Sequence, residues 1–186
     1  MARVWLWSDV HLGHRLVAGL RGYADPAEHD TAIADAWTAT VRKDDTVWLL
    51  GDLAVNRPDK ALELIGSLPG TKHLIFGNHD TGHPMHRDAH RHQSRYLQVF
   101  ASVQPFARRA LAGHQVLLSH FPFVGDSHGE DRYAQWRLPD LGSWLVHGHV
   151  HDAWKVNGRQ INVGFDHWTD GPAEQEQILE IIRAGS

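Results

Sequence analysis

The chain of 186 residues has the length of one ordinary domain, and 42% hydrophobic with 22% charged residues is a soluble, globular balance. No apolar run reaches transmembrane length, and the lack of cysteine excludes disulfides, thiolate zinc sites and cysteine nucleophiles. A net charge of -4 and a pI near 6.4 argue against the broad basic surface that holds a long nucleic acid, and leave room for one phosphate or a small nucleotide.

The opening "MARVWLWSDV" has one Arg and a short apolar stretch running into Asp9, without an h-region or a small-residue cleavage site. No signal peptide is expected, and the cytoplasm is the expected location. Residues 3–8, rich in Val and Trp, predict a first strand. Residues 26–41 space Ile33, Trp37 and Val41 four apart behind Pro26, which predicts an amphipathic helix. Strands follow at 45–50 and 72–76, separated by a helix over 57–68 that opens after Arg57 with Pro58 in its first turn. Residues 90–102 are expected to be helical, and 114–120, 143–148 and 159–164 to be strands. Residues 172–183 predict a closing helix, with a strand at its end as the alternative. Strands alternating with helices indicate an α/β fold, and nothing in the chain marks a repeat or a linker, so one domain over 1–186 is expected.

Five of these strands end in polar clusters: "SDVHLGH", "GD", "GNHD", "SH" and "HGHVH". Ligands of open α/β sheets bind at the carboxyl ends of strands. Asp9 and His11 lie two apart and can face one ion. The carboxylate of Asp52, after Gly51, has two oxygens and can serve two ions; Asn78 offers a carbonyl oxygen, and His120, His149 and His151 add imidazoles. Mixed nitrogen and oxygen ligands favour Mn, Fe, Co, Ni or Zn over Ca and weigh against a pure Mg site; manganese is the leading choice. Seven candidate ligands exceed the three that a single catalytic zinc needs, which speaks for two divalent ions. Ions about 3.5–4 Å apart clamp the attacking and leaving oxygens of an in-line displacement.

Asp9-Val10-His11, Gly51-Asp52, Gly77-Asn78-His79-Asp80, Ser119-His120 and Gly148-His149-Val150-His151 resemble, in order and spacing, the five motifs of the calcineurin-like metallophosphoesterases, in particular their small capless members from bacteria and phages. The resemblance implies a fold of two mixed β-sheets packed as a sandwich and flanked by helices. It implies that Asp9, His11 and His151 bind one metal, that Asn78, His120 and His149 bind the second, and that Asp52 bridges them. A hydroxide between the ions would attack phosphorus, and His79 would protonate the leaving oxygen or stabilise its charge, with Asp80 orienting His79. His147 matches no ligand position, although period-two spacing alone would enlist it beside His149 and His151; an orienting or strand role is expected. Many family members carry a further acidic residue after the Gly-Asp pair, where this chain has Leu53-Ala54-Val55.

The expected activity is phosphoric-ester hydrolysis, with a small phosphodiester favoured over a phosphomonoester. A protein-binding scaffold is the alternative from another class, and the presence of His79 with all seven ligand positions weighs against it. A mononuclear hydrolase of amides or lactones would leave Asn78 and Asp52 without roles. His14 is weighed evenly between touching substrate and capping. Arg15 and Arg21 are expected to be surface charges rather than phosphate clamps, histidines 83, 86, 90 and 92 to be solvated, and Asp166 and Asn162 are candidates to buttress the site. Trp5, Trp7, Trp48 and Trp144 are expected in the core, and Trp136, Trp154 and Trp168 in packing roles. Oligomeric state is not legible.

Overall fold

The computed structural model describes residues 2–55, 58–127 and 129–185; Arg57, after which the fourth predicted element opens, lies outside them. In chain order the elements are β1 (Val4–Trp7), α1 (Arg15–Leu20), α2 (Pro26–Thr40), β2 (Thr46–Leu49), α3 (Pro58–Ser67), β3 (Thr71–Ile75), α4 (Ala89–Tyr96), β4 (Ser102–Gln104), β5 (Phe106–Leu111), β6 (His114–Ser119), β7 (Trp144–His147), β8 (Val156–Asn157), β9 (Gln160–Asn162), β10 (Ala173–Glu174) and α5 (Gln175–Ala184). They form two five-stranded sheets, ordered β10-β1-β2-β3-β4 and β5-β6-β7-β9-β8. Each is mixed. β1 to β4 run parallel with β10 antiparallel at one edge, and β6, β7 and β9 run parallel with β5 and β8 antiparallel at the edges.

Period two sorts the side chains of the first sheet. Trp5, Trp7, Val47, Leu49 and Leu74 point to one face, where Ile33 and Trp37 of α2, Ala61, Leu62 and Ile65 of α3, and Tyr96 of α4 pack on them. Leu6, Trp48, Leu50 and Ile75 point to the other face and meet Val116, Leu118, Val146 and Ile161 of the second sheet, with Ile178, Leu179 and Ile182 of α5. The chain is therefore an α/β sandwich with helices against its outer side. The α2 helix starts where its sequence directs: Asp25 accepts from the backbone N–H of Ala27 and Glu28 at 2.8 and 2.9 Å, and Pro26 takes the first turn.

Several expectations are corrected. The helix expected over 90–102 ends at Tyr96, because Ser102–Gln104 extends to pair with β3. β5 is paired with β6 through Ala112-Gly113, both at positive φ, the geometry of a type I′ hairpin. The closing helix begins at Gln175; the strand lies at its start, where Ala173 and Glu174 pair with β1. Trp5, Trp7 and Trp48 are buried, and Trp144 is half-buried against the inter-sheet core.

Candidate metal centre

The exits of β1, β2, β3, β6 and β7 converge at one end of the sandwich. Beyond β1 and β2 the two chains stay paired, with Asp9, His11 and Leu12 donating their backbone N–H groups to the carbonyls of Gly51, Asp52 and Leu53 at 3.1, 3.0 and 2.7 Å. Ser8 bridges to Gly164 after β9, which joins the two sheets at this end. Seven non-glycine residues have positive φ among the described residues, and five of them are Asp9, His11, Asp52, His149 and His151. Left-handed backbone costs an L-residue roughly 1–2 kcal/mol. Such outliers persist where surrounding packing holds them, and burial of one Leu or Ile of the core beneath offsets about that much.

Glycines let the exits touch. A Cβ at Gly51 would overlap the backbone of Gly77, one at Gly77 would overlap the Asp52 carboxylate, and one at Gly148 would overlap Ser8 and Asp9. All seven candidate ligands are thereby linked. Asp9, His11 and His151 present ligand atoms within 4.8 Å of one another, and so do Asp9, Asp52 and His120. Asn78 Oδ1 lies 3.0 Å from both His120 Nε2 and His149 Nδ1. Asp52 Oδ2 stands 3.8 Å from His11 Nε2 and 3.5 Å from His120 Nε2, between the two groups.

The donor set fits cations. Asp9 Oδ1 and His11 Nε2 are buried, 3.8 Å apart, and neither has a hydrogen-bond partner. His120 Nδ1–H donates to the Leu50 carbonyl at 2.7 Å, and His149 Nε2–H donates to Asp126 Oδ2 at 3.2 Å. In these neutral tautomers the remaining nitrogens turn lone pairs toward Asn78 Oδ1 and Asp52 Oδ2. Lone pairs and carboxylates gathered out of water are costly unless positive charge sits among them. Burial holds the His11 imidazole down at about 3 and His149 at about 4, so both stay neutral, as ligands must. Burial also opposes a proton on His120, yet Asp52 and Asp9 outweigh it and raise that group. Burial alone would raise Asp52, but His120 and His11 hold it below the usual carboxylate range.

His79 stands at the mouth, its side chain 40% exposed and its Nε2 3.9 Å from Asp52 Oδ2. Its backbone N–H donates to Asp52 Oδ1 at 2.9 Å, which fixes the histidine beside the shared carboxylate. Asp80 has a different part from the one expected. Its carboxylate accepts from the backbone N–H groups of Gly77, Asp52 and Leu53 at 2.8, 3.0 and 3.1 Å, so it clasps two exits together instead of orienting the His79 ring. Burial and the neighbouring Asp52 raise the Asp80 carboxyl, against the pull of these donors.

Other residues are also placed differently. Arg21 is buried and grips both oxygens of Asp166 at 2.8 Å, while donating to the Asp9 carbonyl at 2.8 Å; it is neither a surface charge nor available as a phosphate clamp. Asp166 Oδ2 in turn lies 3.5 Å from His151 Nδ1. Asn162 donates to the carbonyl of His151 at 2.8 Å. His14 caps α1 through Nδ1, which accepts from Val17 N–H at 3.2 Å. His83 is buried, and His86 Nε2–H donates to the Asn78 carbonyl at 2.9 Å, so these two are not solvated. His147 is buried, donates from Nδ1 to the Gly148 carbonyl at 2.7 Å, and packs on Trp154. Asp126 was missed by sequence reasoning: it takes His149 on one side and Arg132 on the other, at 2.7 Å, and no spacing relates it to a strand exit.

A family model for the calcineurin-like phosphoesterase superfamily domain matches residues 3–166. The chain belongs to the calcineurin-like phosphoesterase superfamily, a family of metal-dependent phosphoester hydrolases. Two similar proteins are the Gene 66 proteins of Mycobacterium phages L5 and D29. The first is 45% identical over 183 residues, covering 90% of this chain and 88% of that protein. The second is 45% identical over 194 residues, covering 98% and 96%. An uncharacterized protein of Methanocaldococcus jannaschii is 25% identical over 196 residues, covering 100% and 94%. The crystal structure of a protein of unknown function from Aquifex aeolicus shares the fold, with a TM-score of 0.73 at 24% identity over 97% of this chain and 100% of that one.

Proposed function

We propose that the protein is a dinuclear phosphodiesterase acting on small, nucleotide-like phosphate esters, with manganese as the leading metal. The reading is supported by one observation: two groups of potential ligands, Asp9-His11-His151 and Asp9-Asp52-His120, share Asp9, and Asp52 Oδ2 lies between His11 and His120. Asp9, His11 and His151 would hold one ion, Asn78, His120 and His149 the other, and Asp52 both. Such ions, when bound, supply Lewis acidity toward a phosphoryl oxygen and lower the pKa of water. The chain's own part begins with Asp52, whose backbone-bonded carboxylate places His79 at the open side of the centre. As a P–O bond to hydroxide oxygen forms and the ester P–O bond breaks, the bonding pair leaves with the alkoxide, which takes a proton from His79; solvent accepts the proton released when water becomes hydroxide and returns one to His79. Asp126 and Asp166 hold His149 and His151 in the tautomers that ligation needs.

The direct test is metal content, together with hydrolysis of bis-p-nitrophenyl phosphate and p-nitrophenyl phosphate, with Mn²⁺ and after chelation. Two ions per chain and chelator-sensitive turnover that favours the diester are expected. Preference for the monoester would make the protein a phosphatase. No turnover of either with two ions bound would overturn the hydrolase reading in favour of a scaffold.

A further inference from the structure

Beside the candidate centre opens a cleft of about 440 Å³, within the size range of small-molecule sites. Its polar lining includes His11, His79 and His151. Its apolar lining is Leu16, Val17 and Leu20, one wall built by α1, with Val55. Leu16 and Leu20 lie one helical turn apart, so their side chains stand on one face, and they are 67% and 79% exposed. Large aliphatic side chains left this open beside a reactive centre are an unfilled half of a contact.

The charges of the cleft limit what can fill it. Among the described residues lining it, Arg21 is the only Arg or Lys, and its guanidinium is already committed to both oxygens of Asp166, to the Asp9 carbonyl and to His29. Asp166 is neutralised in that pair, and Asp152 adds negative charge to the lining. Among the described lining residues, a second phosphate in the cleft would meet no free Arg or Lys and would lie close to the Asp152 carboxylate. A polyphosphate chain or the next phosphate of a nucleic acid is therefore disfavoured, whereas an uncharged apolar group meets Leu16, Val17, Leu20 and Val55.

We infer that this wall of α1 is the subsite for an uncharged, apolar or aromatic substituent of an ester with a single phosphate. The inference rests on the hydrolase reading, since the continuity of the cleft with His79 identifies its occupant as part of the ester. It narrows that reading to single-phosphate esters whose alcohol is flat or greasy.

The test keeps the leaving group constant and varies the other substituent: p-nitrophenyl phenyl phosphate against p-nitrophenyl methyl phosphate, on the Mn²⁺-loaded protein. The phenyl ester is expected to show about tenfold the kcat/KM of the methyl ester, roughly 1.4 kcal/mol. A Leu16→Ser/Leu20→Ser variant, with metal content and thermal melting measured as controls, is expected to bring that ratio close to one. In parallel, calorimetry with phenylphosphonate and methylphosphonate reads the same preference without turnover. Tighter phenylphosphonate binding that disappears in the double variant supports the subsite even if neither ester is cleaved, and that outcome would count against the hydrolase reading alone. Equal affinity for the two phosphonates in the parent protein, or a preference that survives the double substitution, overturns the subsite while hydrolysis stands. A change from dimer to monomer in the variant with the ratio unaltered would also overturn it, and would make α1 a contact between copies.

Discussion

At the scale of single residues, the centre is an arrangement in which each side chain's second partner decides what its first can do. Asp52 is shared: Oδ1 accepts the His79 N–H, and Oδ2 faces His11 and His120. Asp52→Asn removes a charge from between the two ligand groups, and metal content measured by atomic emission is expected to fall along with turnover; full occupancy would refute the bridge. His79 has no such central place. It is the half-exposed member, so His79→Ala should keep both ions and lose about 10²–10⁴-fold in rate, most for poor leaving groups. A flat rate ratio across leaving groups would remove the general-acid role. Asp126 acts one step further out, on His149 Nε2. Removing a carboxylate that orients a ligating histidine costs about 10–100-fold in metal affinity. Asp126→Ala should show that loss in competition with a chromophoric chelator, and Asp126→Asn, which keeps an acceptor oxygen, should recover part of it. Equal affinities in all three proteins would assign Asp126 to loop structure through Arg132.

At the scale of elements, what could be foreseen followed from how local the signal was. The central strands were legible because Val-, Trp- and Leu-rich runs stop abruptly at Asp, Asn or His, and the seven candidate ligands stand within a few residues of those stops. Asp126 was not, because it reaches His149 from 23 residues away through a loop without periodicity. Arg21 was misjudged for the same reason: its partner Asp166 is 145 residues distant, and only the closed sandwich brings them together. β4 and β10 are two or three residues long and exist by pairing with β3 and β1, so their own composition says little. β5 was hidden by its turn. Ala112-Gly113 occupies positions that usually carry Asn-Gly, and Ala112 is held at φ 45°. That strain makes a prediction: Ala112→Asn, away from the centre, should stabilise the β5–β6 hairpin by about 0.5–1 kcal/mol, because Asn tolerates left-handed backbone better than Ala. Urea unfolding should show a higher midpoint at unchanged slope; a lower midpoint would mean that the strand pairing, not the turn, sets this hairpin's stability.

At the scale of the whole molecule, the sandwich binds its two sheets together at the same end where it buries imidazoles, and this couples its stability to pH. Burial holds His11 and His147 at about 3 and His149 and His83 at about 4, against 6.5 in an unfolded chain. Between pH 6.5 and about 4 the unfolded chain therefore binds protons that the folded one refuses, and folding stability must fall as pH falls through that window. His120 and His151 are displaced the other way: burial opposes their protons, but Asp52 and Asp9 outweigh it for the first, and Asp166 and Asp9 for the second. Their contribution is complete below 6.5 and is lost as pH rises through their folded values, so it does not offset the acid slope. Asp126 and Asp166 add to the loss at still lower pH. Burial opposes their charge, but Arg132 and His149 hold the first below the carboxylate range, and Arg21 and His151 the second. Asp80 works against the acid slope: burial and Asp52 raise its carboxyl to about 7, so between pH 7 and 4 the folded chain takes up a proton there that the unfolded chain does not. For the chelated protein, urea unfolding across pH 4 to 8 should give a net slope of about three protons between pH 6 and 5, each worth about 1.4 kcal/mol per pH unit. A typical domain has only about 5–15 kcal/mol to lose. The metal-free protein is therefore expected to unfold in mild acid, before Asp126 and Asp166 titrate. Saturating Mn²⁺ at pH 7 should raise the midpoint, with stability higher by about 2.7 kcal/mol per bound ion at a hundredfold excess over Kd, because only the folded chain assembles the ligands. A stability flat from pH 7 to 5 would mean that water reaches these imidazoles in the folded state and that their burial does not set the acid limit.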